Sequence, residues 1–237
     1  MTNESSLTVG VIGGMGPEAT VDFMAKVIAL TPVNADQDHV RLIVDQNPGV
    51  PDRQEALLRD GENPGQVLAE MARGLEAQRC DFLVMPCNTA HAFQDDITAA
   101  VNIPFISMVD ATLDAIRAAK CVGVMATVAC LRANVYQSTL EARGITHVLP
   151  TREEAENLTR LVFEIKRGNK GELTKAALAR VTRNLVARGA DVIVSACTEI
   201  PLVFGANDLD VRLLSSTDEL AKMTIAMARR ETALPTS

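Results

Sequence analysis

The stretch Arg73 to Cys87 returns as Arg183 to Cys197. Leu75, Asp81, Val84 and Cys87 fall on Leu185, Asp191, Val194 and Cys197 at a constant offset of 110 residues. The apolar runs around Gly10 and Gly123 are offset by 113. A spacing kept across helix, strand and thiol constrains the chain to two similar halves built on one supersecondary unit. A length of 237 residues is enough for one large domain or two small ones.

Within each half, short apolar runs alternate with longer helical periods. Strands are expected at Leu7–Ile12, Arg41–Val44, Phe82–Met85, Pro104–Ile106, Val122–Met125 and Val192–Val194. Pro17 opens a helix with Val21, Met24, Val27 and Ile28 on one face, and another follows Pro64 with Val67, Leu68, Met71 and Leu75 set for burial. Further helices are expected over Val109–Ala119, Ala133–Ala142, Leu173–Arg188 and Glu219–Arg230. Thr151 and Glu154 form a capping box for a helix that reaches Lys166 and stops at Gly168. Asn47–Asp52 is a loop by its turn residues. Strands that are apolar throughout and alternate with helices predict an α/β fold. Its two similar domains are each a mostly parallel sheet flanked by helices, related by a pseudo-two-fold axis. The expected halves are 1–112, carrying Cys87, and 113–216, carrying Cys197, with the last helix, 217–237, packing back on the first half.

Acids outnumber bases, 30 against 23, for a net charge of −7, which excludes a general electrostatic grip on nucleic acid or an anionic membrane. With no Trp and one Tyr there is no aromatic platform for bases. No apolar run reaches bilayer-spanning length, and the polar start, Met1 to Leu7, is not expected to be a secretory leader. Cys80, Cys87, Cys121, Cys130 and Cys197 are odd in number and not closely paired, which points to free thiols in a reducing, cytoplasmic setting. The three His are far apart and no Cys-x-x-Cys exists, so no metal site is expected.

The repeat carries chemistry. Cys87 and Cys197 each end a strand, where open α/β sheets bind ligands, and each is expected near the amino end of a following helix, whose dipole lowers a thiol pKa. Two opposed acid/base groups of one kind suit inversion of a carbon acid. One thiolate removes the α-proton and the opposite thiol delivers another, while Asn88, Thr89 and Thr198, each beside a thiol, supply N–H groups and polar side chains to hold the developing negative charge.

Several further motifs join this pair: Gly13-Gly14-Met15-Gly16-Pro17-Glu18-Ala19-Thr20, Asp36-Gln37-Asp38-His39, Asn47-Pro48 with Pro51-Asp52-Arg53, Pro86-Cys87-Asn88-Thr89-Ala90-His91 and Cys197-Thr198-Glu199-Ile200. Over nearly its whole length the chain resembles the cofactor-independent aspartate/glutamate racemase superfamily, nearest its aspartate racemase branch. The resemblance implies paired α/β domains, a homodimer, and an active site between the domains that needs no pyridoxal phosphate or other cofactor. It implies Cys87 and Cys197 as the two bases, and Arg53 and Lys166 as the cations for the side-chain carboxylate of a small acidic amino acid. Asn47 and Thr127 are candidates for the α-carboxylate and ammonium, with Met15 at the cleft mouth. The chain departs from the family's pattern at Ala196, where Gly is usual, and at Cys130, where a second Thr is usual.

Plainer readings stand beside these. A lone Cys is more often core than catalyst, which is the reading for Cys80, Cys121 and Cys130. His91 either assists Cys87 or bonds a backbone carbonyl, the latter being favoured; Glu199 either orients its loop or tunes Cys197. His39 braces a strand start, and Arg167 is a solvated cation. Asp45, ending the second strand as a ribose-binding acid would, raises a nicotinamide dehydrogenase, but that leaves the thiol repeat unexplained. Another carbon acid, or a silent small-molecule-binding protein, remain as alternatives to aspartate or glutamate turnover.

Overall fold

The apolar runs become the strands of two four-stranded sheets in a computed structural model that describes residues 6–205 and 211–235. The first part of the chain runs β1 (Val9–Gly13), α1 (Pro17–Leu30), β2 (Leu42–Gln46), α2 (Arg53–Leu58), α3 (Gly65–Ala77), β3 (Phe82–Val84), α4 (Gln94–Thr98), β4 (Phe105–Ile106) and α5 (Met108–Asp114). The rest runs β5 (Cys121–Met125), α6 (Val128–Arg132), α7 (Gln137–Ala142), β6 (Thr146–Val148), α8 (Arg152–Lys166), α9 (Glu172–Ala187), β7 (Val192–Ser195), β8 (Arg212–Ser215) and α10 (Ser216–Ala228). The strand orders are β2-β1-β3-β4 and β6-β5-β7-β8, and every pairing is parallel. Helices cover both faces, as all-apolar parallel strands require.

The repeat is visible atom by atom. Gly10 stands opposite Leu83 in register, and Gly123 opposite Ile193. A Cβ at Gly10 would lie 2.6 Å from Leu83 Cδ2, and one at Gly123 2.6 Å from Ile193 Cδ1, so both glycines are where the following helix–strand corner presses on the sheet. Each corner is bracketed by an aspartate. Asp81 accepts from Thr8 N–H at 2.6 Å and donates its own N–H to Thr8 O. Asp191 accepts from Lys120 and Cys121 N–H and donates to Cys121 O.

The two halves exchange their final helices. After β4, α5 is capped by Ser107, which accepts from Asp110 N–H; after β8, α10 is capped by Ser215, which accepts from Asp218 N–H. Val109 and Leu113 of α5 belong to the core under the second sheet, with Val122, Val124 and Val194. Leu220, Ala221, Ile225 and Ala228 of α10 belong to the core under the first, with Val9, Phe23 and Val84. The expected division at 112/113 falls inside α5.

Several expected elements differ. The helix expected over Ala133–Ala142 begins only at Gln137, as α7; a separate short helix, α6, which the sequence reading lacked, precedes it, and Asn134 takes a left-handed φ of 53° between the two, a conformation Asn tolerates. The helix from Val109 starts at Met108 and stops at Asp114 rather than Ala119. On α1 the buried face is Ala19, Thr20, Phe23 and Val27, while Val21 and Ile28 are each 57% exposed. The strands β6 and β8 and the helix α2 had no counterpart in the sequence reading; both strands are sheet edges, too short and polar for a continuous apolar run.

Candidate active site

Parallel sheets bind at the carboxyl ends of their strands, and both repeated thiols are there. Cys87 lies just beyond β3 and Cys197 just beyond β7, each almost fully buried. Both line one pocket between the halves, together with Met15, Arg53, Asn88, Thr89, Thr127, Lys166, Thr198 and Glu199. Asp52, Gln54, Val162 and Phe163 also line it; the first two flank Arg53 at the start of α2 and the last two precede Lys166 on α8, and the sequence reading gave none of them a role at the site. Asn47 is outside this lining. Its side-chain oxygen accepts from Gly49 N–H at 2.9 Å and shapes the loop that carries Arg53.

Contrary to the sequence expectation, neither thiol is followed directly by a long helix. Short 3-10 turns follow instead, Thr89–Phe93 after Cys87 and Ile200–Leu202 after Cys197. The field at Cys197 is set by side chains. Cys197 Sγ donates to Glu199 Oε2 at 3.1 Å, Thr198 Oγ1 donates to the same oxygen at 3.3 Å, and Lys166 Nζ stands 3.3 Å from Glu199 Oε1. Burial, and then the Glu199 charge, push the Cys197 thiol well above its ordinary pKa, with Lys166 opposing them. Burial works against the Lys166 charge, but Glu199 and both thiols outweigh it and hold that pKa above the ordinary value.

Asn88 joins the halves. Tyr136 O–H donates to Asn88 Oδ1 at 2.6 Å, Asn88 Nδ2 donates to Ser216 Oγ at 2.9 Å, and Ser216 Oγ donates to Ser195 O at 2.9 Å. These four residues come from β7, α10 and the loops after β3 and α6, and all are buried. Nothing in the sequence pairs Tyr136 with Asn88, since their contact depends on how the two sheets meet.

His91 is behind the pocket wall. Its Nε2 accepts from Met108 N–H at 2.9 Å, so its Nδ1 carries the hydrogen and donates to Cys87 O at 2.8 Å. Burial pushes its pKa down to about 4. It is a neutral clamp on the Cys87 backbone. Arg53 donates through one terminal nitrogen to Val50 O and Pro51 O, which ties the guanidinium to its own loop. Thr127 lines the pocket with its buried hydroxyl unpaired. Ala196 N–H is committed to Met125 O at 3.0 Å, extending the β5–β7 ladder. Cys130 is buried, its thiol pushed up to about 12 by burial and by nearby Cys87. Among the described residues no cluster of His, Cys, Asp or Glu is arranged to hold a metal, and no helix is long and apolar enough to cross a membrane.

The fold and the site define a two-half α/β protein in which each half brings one thiol to a shared pocket. The profile of the Asp/Glu/Hydantoin racemase family matches residues 12–224, and the chain belongs to that family. It is 28% identical to the broad specificity amino-acid racemase RacX of Bacillus subtilis, over 92% of this chain and 96% of that one. An aspartate racemase of Picrophilus torridus superposes with a TM-score of 0.85 at 28% identity, covering 97% of this chain and 96% of that chain. A glutamate racemase of Francisella tularensis, at 19% identity and a TM-score of 0.70 over 98% of this chain and 84% of that one, shares the fold.

Proposed function

We propose that the protein is an amino-acid racemase that interconverts L- and D-aspartate, with glutamate as the next candidate, by proton transfer between Cys87 and Cys197. The observation that carries this reading is the gathering of both repeated thiols and two cations, Arg53 and Lys166, in one pocket. A thiolate on one side takes the α-proton, and the thiol on the other returns a proton to the opposite face. The carbanion between them is stabilised by donors beside each thiol, from Asn88, Thr89 and Thr198. Arg53 and Lys166 hold the side-chain carboxylate, and Thr127, with its free hydroxyl, receives an α-substituent. No cofactor enters this scheme. The five cysteines, all free, suit a reducing cytoplasm, and the protein is proposed to act as a homodimer.

The test is proton NMR of the protein with L-aspartate in D₂O without pyridoxal phosphate, followed by chiral analysis. Loss of the α-proton signal with appearance of D-aspartate is expected, and both Cys87→Ser and Cys197→Ser should abolish racemisation. Arg53→Ala should lose aspartate turnover while keeping exchange on a smaller substrate. A folded, reduced protein that exchanges no acidic amino acid refutes the reading and moves it to another carbon acid. Given the similarity to a broad-specificity racemase, the same assay over neutral and basic amino acids measures how strict the carboxylate requirement is.

A further inference from the structure

We propose that Glu199 is a substrate-gated proton acceptor for Cys197, released for that task when Lys166 leaves it for the side-chain carboxylate of an acidic substrate. The inference deepens the racemase reading and rests on it.

Cys197 is a poor base as it stands. It is buried, it donates its proton to Glu199 Oε2 at 3.1 Å, and it must lose that proton before it can take another. Glu199 is the hydrogen-bonded acceptor, but three groups engage its carboxylate: the Lys166 ammonium from α8 at 3.3 Å, and the Cys197 and Thr198 donors on its own loop. Other charged or titratable groups that act on this cluster include Arg53 from α2, Cys87 from the first half and, through Cys197, Tyr136 from the loop after α6. Oε1 faces the Met15–Gly16 segment, where a Cβ on Gly16 would be 3.6 Å away, and makes no hydrogen bond besides the Lys166 ion pair.

The two partners of that ion pair differ in freedom. The Lys166 side chain is 34% exposed and that of Glu199 only 6%. A ligand can draw the lysine head towards itself, while Glu199 stays against Cys197. Once Lys166 turns to a substrate carboxylate, Glu199 is a buried carboxylate without its cation, and its affinity for a proton rises. The nearest proton is on Cys197 Sγ. The S–H bond breaks and an O–H bond forms at Oε2, giving a thiolate and a neutral acid. The thiolate then takes the α-proton, and Cys87 protonates the other face. On release Glu199 returns its proton to solvent, Cys87 regains one, and Lys166 closes again on Glu199. An amino acid without a side-chain carboxylate leaves Lys166 on Glu199 and Cys197 as a thiol. Discrimination is then exerted on the chemical step as well as on binding.

Glu199 acts here through Cys197 as a positioning and proton-relay residue, so its test separates the substrate into pieces. The rate of α-proton exchange of alanine in D₂O is measured with and without added acetate, which supplies the missing carboxylate. In the wild-type protein acetate should raise exchange about tenfold, the equivalent of about one pKa unit at Cys197. In Glu199→Gln, which keeps size and shape, acetate should have less than about a twofold effect. The residual rate there should climb with pH, because hydroxide must now ionise Cys197. In Lys166→Met the gate is permanently open: alanine exchange without acetate should match the acetate-stimulated wild-type rate and ignore acetate. Equal stimulation of Glu199→Gln, no stimulation of wild type, or a Lys166→Met protein as slow as unstimulated wild type would each overturn the gate. If wild type exchanges aspartate in the same tube, such a result leaves the racemase reading intact. If it exchanges none, the racemase reading falls and the gate with it.

Discussion

Replacing Tyr136 by Phe removes one oxygen from the buried bridge between the halves. Tyr136 is fully buried, and its hydroxyl is 2.6 Å from Asn88 Oδ1. Ring packing survives the change, so the effect is that of leaving Asn88 Oδ1 unpaired. A buried acceptor left without a donor costs about 1–3 kcal/mol. In a chain of this size each kcal/mol lowers Tm by about 2–4 °C, so a fall of about 2–12 °C is expected in thermal unfolding followed by circular dichroism. Ser216→Ala removes the acceptor for Asn88 Nδ2 and should act through the same amide. The double variant should therefore lose less than the sum of the singles, by at least about 0.5 kcal/mol in a double-mutant cycle. A Tyr136→Phe protein as stable as the parent, or strict additivity with Ser216→Ala, would refute the claim that the bridge carries energy as a unit.

Gly123→Ala places a Cβ 2.6 Å from Ile193 Cδ1 and should destabilise the protein by about 1–3 kcal/mol in urea titration. His91 has its pKa pushed down to about 4 by burial. The unfolded chain therefore binds more protons than the folded one between about pH 6.5 and pH 4, and stability falls as pH falls through that window. The His91 share is about 2 kcal/mol between pH 7 and pH 5, and His91→Gln should flatten the slope of unfolding free energy against pH by that amount. Cys130, buried and with its thiol pushed up to about 12, should stay unmodified when the native protein is treated with iodoacetamide at neutral pH, as peptide mass spectrometry would read.

What could be read from the sequence follows from where the signals are. Central strands such as β1, β3, β5 and β7 are buried on both sides and therefore apolar throughout, and they were legible to within a residue or two. The edges β6 and β8, with exposed Thr146 and Arg212, carry no such run and were missed. The Thr151–Glu154 capping box is written locally and forms as expected, with Thr151 Oγ1 accepting from Glu154 N–H and Glu154 Oε2 accepting from Thr151 N–H. The break at Asn134 has no proline or glycine to announce it. For the site, repetition and resemblance pointed to residues that now share a pocket, but not to what restrains them. The Glu199–Lys166 pair and the Tyr136–Asn88–Ser216 bridge join residues far apart in the chain, and only the assembled sheets bring them together.

The exchange of α5 and α10 has a consequence for how such a chain can be divided or built. Cut before α5, the first segment would take with it neither its own terminal helix nor the one that covers its core, and Phe23, Val9 and Val84 would face water where Leu220 and Ile225 now stand. Neither segment is a free-standing module. Each completes the other, as two chains do in a domain-swapped dimer, with the difference that here they are fused head to tail. An ancestral single unit with the same sheet order could have met this need only by pairing with its twin, and duplication with fusion would then have turned a symmetric pair into one chain. Split genes for the two segments, co-expressed, should reassemble where either alone aggregates.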